Sequence, residues 1–200
     1  MMTPRLFSRL ALLGLAAVAP VAASAAVETY QIDPAHSSVV FNVRHFFARV
    51  PGVFARFSGT MTVDRENFEH NTITATTDIG SLSTRQPDRD KHLLSADFFL
   101  AEKFPVATFT SKSWKKTGHD TYTVRGDLTI KDRTREIILE VRPLGFGPGN
   151  RGAMLSGWEA AFTIDRTDFD VGKSEKAIGD EVELVVNIEA KLQPAGPKAP

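Results

Sequence analysis

The amino-acid sequence predicts an all-β fold: an antiparallel meander of about eight strands, closed as a barrel or folded as a sandwich. Three observations carry this expectation. Apolar and polar residues alternate with period two through most of the chain, the mark of strands with one buried face. Short turn sequences separate the alternating runs, as hairpin connections require. The alternation is also long and one-sided, and an open sheet of that kind would leave edges needing protection.

In chain order, the first 25 residues stand apart from the fold. "MMTPRLFSR" carries Arg5 and Arg9, "LALLGLAAVAPV" is an apolar run, and Ala23, Ser24 and Ala25 supply the small residues of a cleavage site. That sequence of parts predicts a secretory signal peptide over 1–25, cut before Ala26. No later stretch approaches the roughly 18 consecutive apolar residues of a membrane helix. The whole chain has 24 basic and 24 acidic residues; losing Arg5 and Arg9 leaves the mature protein slightly acidic, which argues against a nucleic-acid partner. No cysteine occurs, so an exported protein of this kind must be held by its core alone.

The strands follow. "SSVVFNVRH" sets Val39, Phe41 and Val43 on one face, and "NTITATTDI" aligns Ile73, Ala75, Thr77 and Ile79. "TYTVRGDLTI" aligns Tyr122, Val124, Gly126, Leu128 and Ile130; "REIILEVRP" aligns Ile137, Leu139 and Val141. "AMLSGWEAAFTI" aligns Met154, Trp158, Phe162 and Ile164, and "DEVELVVNIEAKL" aligns Val182, Leu184, Val186, Ile188, Ala190 and Leu192. Turns are expected at Asp64–Asn67, Lys116–Asp120, Lys131–Thr134 and Gly145–Asn150. The domain spans 26–193, and the Pro-rich tail, 194–200, reads as disordered.

Residues 86–103 break the alternation. "PDRDKHLLS" opens like a helical first turn, and Asp97 is placed to cap a second short helix, "FFLAEK", limited by Pro105. This helical insert holds Ser95, His92, Asp90 and Asp97, the residue types of a hydrolase. Their spacing does not suit one: Asp90 and His92 do not share a helix face, and no Gly-x-Ser-x-Gly elbow accompanies Ser95. His36, His45, His70, His92 and His119 show no metal-ligand spacing. The reading that fits Arg89, Asp90 and His92 is a structural latch fixing the insert against strand ends, with no catalytic and no metal-ligating residue.

Phenylalanine dominates the aromatics, with 14 against two tryptophans and two tyrosines. Phe41, Phe46, Phe47, Phe54 and Phe57 crowd one early hairpin, and Phe98, Phe99, Phe104 and Phe109 crowd the insert and the strand after it. Either these rings fill an ordinary core, or they line a cavity for an apolar ligand.

The blocks "IDPAHSSVVFNVRH", "GVFARFSGTMTVD", "RDKHLLSADFF" with "KFPVATFTS", "VRGDLTIKDRTREIILEV", and "IDRTDFDVG" with "IGDEVELVVNIEA" together resemble the YceI-like family of periplasmic proteins. The resemblance implies a lipocalin-like antiparallel barrel with a hydrophobic tunnel for a polyisoprenoid lipid, an isoprenoid quinone or its precursor, and no cofactor beyond that ligand. It also implies a possible link to the membrane or to a membrane b-type cytochrome. It carries no catalytic residue and leaves the oligomeric state, a homodimer included, open. Under it the ligand-lining residues are expected to be Phe41, Val43, Phe54, Phe57, Phe98, Phe99, Phe109, Leu128, Ile130, Leu139, Trp158, Phe162, Leu184 and Val186. Three positions depart from the family pattern: Leu94 where Arg is common, and Asp132 and Asp170 where Gly is usual. Two rival readings remain, a small-molecule enzyme using His92 with Asp90, and a stress-response interaction protein whose barrel is filled by its own side chains.

Overall fold

A computed structural model describes residues 27–194. The expected signal peptide, and all but the first residue of the expected tail, lie outside the described residues. Eleven strands form one sheet: β1 (Glu28–Ile32), β2 (Ser38–His45), β3 (Ala48–Phe54), β4 (Phe57–Val63), β5 (Thr72–Asp78), β6 (Leu82–Ser83), β7 (Val106–Lys116), β8 (Tyr122–Ile130), β9 (Arg133–Pro148), β10 (Met154–Asp165) and β11 (Ile178–Leu192). A helix, α1 (Pro87–Leu94), lies between β6 and β7.

Six of these strands are halves of three longer staves. β1 and β2 run on through the short turn Pro34–His36, and both pair with β11, at Ile32↔Ala190 and then Ser38↔Asn187. β3 and β4 likewise follow one another, β3 against β2 and β4 against β1. β5 and β6 pair with β4 and β3 respectively. With β7 to β11 this makes an eight-stave antiparallel barrel, closed where β1 meets β11. The expected barrel is thus the observed one, and the sandwich is not.

Serine side chains and carbonyls take up backbone groups at the breaks in the staves, as burial demands. Ser81 accepts the Arg56 N–H at its Oγ (2.9 Å) and the Ala55 N–H at its carbonyl (3.2 Å). Ser37 Oγ donates to the Asp33 carbonyl (2.7 Å) and accepts the Glu189 N–H (3.0 Å), pinning the first break to β11.

Three local expectations need correction. The chain does not turn at Gly145, because β9 continues to Pro148; a bulge at Leu144, with Gly145 at φ 147, absorbs the glycine-rich sequence inside the strand. The turn after β8 consists of Lys131 and Asp132 only, and Lys131 (φ 57) takes its left-handed position. "FFLAEK" forms turns rather than a second helix: Leu100 at φ 48 interrupts it, and Asp97 bonds to His92 instead of capping.

Candidate functional site

Burial along β11 shows where the barrel is hollow. Its inward residues Val182, Leu184 and Val186 are only half-buried, whereas Ile188 is 9% and Ala190 0% exposed. An inward side chain in a closed barrel keeps accessible surface only when empty space faces it. The barrel is therefore solid at the Ala190 end and open inside along the rest.

Aromatic rings build the solid end. Trp158 meets Trp114 (centroids 5.8 Å, 78°), Phe146 (5.5 Å, 90°) and Phe68 (5.6 Å), with Tyr30, Met61 and Val63 fully buried around them. Edge-on contacts of this kind are favoured by the ring quadrupoles. Tyr30 donates to Glu28 (2.7 Å), and burial together with that carboxylate pushes its phenol up to about 12, so it stays a neutral donor.

Above this plug lies a cavity of about 670 Å³, within the roughly 300–1,000 Å³ usual for ligand pockets. Phe41, Val43, Phe54, Phe57, Phe98, Phe99, Phe109, Leu128, Ile130, Leu139, Trp158, Phe162, Leu184 and Val186 all lie on its wall. Their roles differ. Leu139 and Trp158 belong to the plug, and Phe98 and Ile130 to a second buried cluster with Ile79, Phe169 and Val171 beneath the insert. The remainder face the hollow.

Two glycines make room there. A Cβ on Gly52 would lie 2.1 Å from Phe41 Cζ, and one on Gly126 would lie 2.5 Å from Phe109 Cζ. The tips of the two rings thus take the space over the glycine backbone that a side chain there would fill.

The ionisable wall residues are His45, Asp88, Arg89, His92, Arg166 and Glu175. They come from the far end of β2, from α1 and from the segment before β11, and His45, Asp88, Arg89 and His92 are exposed. Residues that touch both lumen and solvent mark the mouth. Arg166 is the exception, 5% exposed, and its guanidinium donates to the carbonyls of Val171 (2.8 Å), Gly172, Glu175 (3.0 Å), Ile178 (3.0 Å) and Gly179 (2.9 Å), and to Asp180 (2.9 Å). This fork explains the "IDRTDFDVG" block: one arginine folds the mouth loop around itself.

The insert residues are held in a different pattern from a catalytic one. Asp90 accepts from the Thr84 N–H (2.8 Å) and hydroxyl, and Arg89 donates to Thr84 Oγ1 (2.7 Å) and carbonyl (2.9 Å). His92 turns to Asp97 (3.1 Å) and lies edge-on to Phe98 (5.0 Å), while Ser95 Oγ accepts the Asp97 N–H (3.3 Å). The His92–Asp90 pair that an enzyme reading uses is not assembled. Elsewhere the ligand atoms of Asp33, His36 and Glu189 lie within 4.8 Å of one another, but Asp33 is already paired with Lys191 Nζ (2.6 Å) and with His36 Nδ1 (2.9 Å).

The family model for the YceI-like domain matches residues 30–190. The chain belongs to the YceI-like family. It is 36% identical over 175 residues to Protein YceI of Escherichia coli O17:K52:H18, covering 86% of this chain and 91% of that protein. Among solved structures, the YceI-like barrel is similar to BcnA of Burkholderia cenocepacia (TM-score 0.73, 24% identity, 79% of this chain and 98% of that one). It is also similar to a polyisoprenoid binding domain from Saccharophagus degradans (TM-score 0.61, 16% identity, 82% and 98%). At these identities the two structures speak to the fold.

Of the family departures, Asp170 adopts the left-handed conformation (φ 55) that Gly would take, and Arg133 and Lys173 hold its carboxyl below the ordinary value. Leu94 packs into the apolar cluster under the insert. Sequence reasoning missed the plug residues Phe68 and Phe146, the mouth residues Asp88 and Glu175, the buried Arg166 that holds the mouth loop, and Gly52; it aligned Gly126 with its strand's inward face but gave it no role. For Phe146 the bulge hid the signal by shifting the alternation. For Gly52 the pairing with Phe41 across the strand could have been sought; Gly126 pairs with Ser111 and lies diagonal to Phe109, a weaker signal.

Proposed function

We propose that this YceI-like protein is a non-enzymatic carrier that sequesters a long polyisoprenoid lipid, an isoprenoid quinone or its precursor, and that it works in the periplasm. The observation that carries the reading is the lumen itself: an apolar cavity of about 670 Å³, closed at one end by aromatic rings, with exposed charges at the other. Such a shape suits an amphiphile with its tail inside and its head at the mouth, near Asp88, Arg89 and His92. An empty hollow of this size also does not fit a barrel filled by its own side chains. Membership of the family, the structural neighbour named as a polyisoprenoid binding domain, and an N-terminal sequence with the parts of a signal peptide add support.

Apolar burial is worth about 0.8 kcal/mol per methylene, so a few isoprene units suffice for tight retention before ordering costs set a ceiling. Length and fit then govern affinity, with the head group secondary.

Native mass spectrometry of protein from its own host, with organic extraction of the bound material, tests this. A polyisoprenoid released in near-stoichiometric amount is the expected result; a protein that is empty and takes up no added long-chain quinone overturns it. Phe109→Glu places a charge in the lumen and is expected to abolish retention while circular dichroism stays that of the folded barrel.

A further inference from the structure

The β2–β3 hairpin ends in a two-residue turn, with His45 paired to Ala48 and Arg44 to Arg49. The turn is Phe46–Phe47. Phe47 is 104% and Phe46 57% exposed, and they are the only aromatic residues among the exposed large hydrophobics of the described residues. Tight hairpin tips are normally Gly, Asn or Asp. Here Phe46 takes φ 47, a conformation that bulky side chains rarely adopt. Surrounding contacts hold it there: its N–H donates to the Ala177 carbonyl (3.0 Å), its carbonyl accepts from Arg44 Nη1 (3.0 Å), and the His45 ring lies edge-on at 4.8 Å. A strained backbone and two water-exposed rings are both unfavourable for the isolated molecule, which points to a task at the tip.

The tip's position says which task. His45 and Ala177, which hold it, also line the lumen at its mouth. We propose that Phe46 and Phe47 form a membrane-docking tip that enters the interfacial layer of a phospholipid bilayer and sets the mouth of the lumen against it. The inference rests on the lipid-carrier reading above. A polyisoprenoid does not cross water freely, so it must pass directly between bilayer and lumen. Arg44 and Arg49 lie on the outer face just behind the rings; Arg49 pairs with Glu183, and Arg44 is folded onto the tip. Arginine behind aromatic residues is an arrangement that suits the headgroup boundary. The tip is also convex and small, which suits insertion into a fluid layer better than a protein partner, whose stable interface needs about 1,000 Å² or more.

The test compares wild type with Phe46→Gly/Phe47→Ser, in which glycine relieves the strained φ, and with Phe47→Trp. The probe is phosphatidylethanolamine–phosphatidylglycerol vesicles doped with a long-chain ubiquinone. Flotation reads docking, and quinone uptake is measured separately from vesicles and from detergent. The double variant is expected to lose about tenfold or more in vesicle binding, as the loss of buried phenylalanine surface implies, and to slow in uptake from vesicles. Its uptake from detergent stays at the wild-type level. Phe47→Trp keeps binding, and its emission shifts to the blue when vesicles are added. Equal flotation of wild type and double variant, an unmoved Trp emission, or a wild-type dimer that the double variant splits in sedimentation would each overturn the docking tip. A wild type that floats but takes quinone from neither source would overturn the carrier reading instead and leave the tip standing.

Discussion

Gly52 keeps the lumen open by what it lacks. Phe41 lies directly across the β2–β3 ladder from it, and the three atoms nearest a built Cβ all belong to that ring, at 2.1–2.8 Å. The ring can move only away from the wall. Gly52→Ala is therefore expected to swing Phe41 into the cavity, at about 1–3 kcal/mol for the overpacking, and to reduce lipid bound per barrel. Lipid stoichiometry by native mass spectrometry, read beside the melting temperature, checks both effects. Gly126 is a stricter case, because a Cβ there also meets the Thr110 carbonyl at 2.6 Å, so alanine costs stability first. At Thr84, buried at 5% exposure, the Asp90 carboxylate satisfies both N–H and hydroxyl. Asp90→Ala leaves those donors without it, and about 1–3 kcal/mol of stability is expected to go. Faster hydrogen exchange over residues 84–94 and faster lipid release are the readouts.

Between residue and barrel, the breaks in the staves are where charge does structural work. Asp33 caps the turn between β1 and β2, accepting from Ala35 N–H (3.2 Å), and reaches Lys191 (2.6 Å) and His36 (2.9 Å). Lys191, then His36, hold its carboxyl well below the ordinary 3.8. A lowered folded-state pKa means stability that is present above the unfolded value and lost as pH falls through the folded one. His36 is shifted the other way, upward, by Asp33 and then Glu189; its share is present below its ordinary 6.5 and fades as pH rises through the raised value. Asp33→Asn is expected to melt lower than wild type at neutral pH, with the gap closing as pH drops below 3.8. Melting curves across pH settle it. Elements such as β11 were legible in the sequence because its twelve residues from Glu181 to Leu192 point alternately outward and inward. The end of β9 was not, because Gly145, Gly147 and Pro148 read as a turn in one dimension; only the pairing with β10 makes them strand. The insert was legible as a break, but its second half was not, since nothing in the run of residue types shows that Leu100 takes the left-handed φ of 48 that interrupts it.

At the scale of the whole molecule, alternation told which side chains point inward but not how far the hollow runs. Val186 and Ile188 sit two apart on one face, and the difference between them comes from Trp158, directly paired with Ile188. Bulk contributed by neighbouring staves decides it, and that is set by register. The mouth's charges were equally hidden, because Asp88 comes from α1 while Arg166 and Glu175 come from the loop before β11, and the two segments line one lumen only once the barrel closes.

Closure itself depends on the last strand. β11 pairs with β10 along one side and with β1 and β2 along the other, so until Ile178–Leu192 is in place the sheet has two bare edges and encloses nothing. A chain still being delivered from its ribosome or through a pore has no compartment to offer. Anything the lumen encloses can therefore enter only a finished molecule, and the order of events, completion first and filling second, is written into which stave closes the sheet.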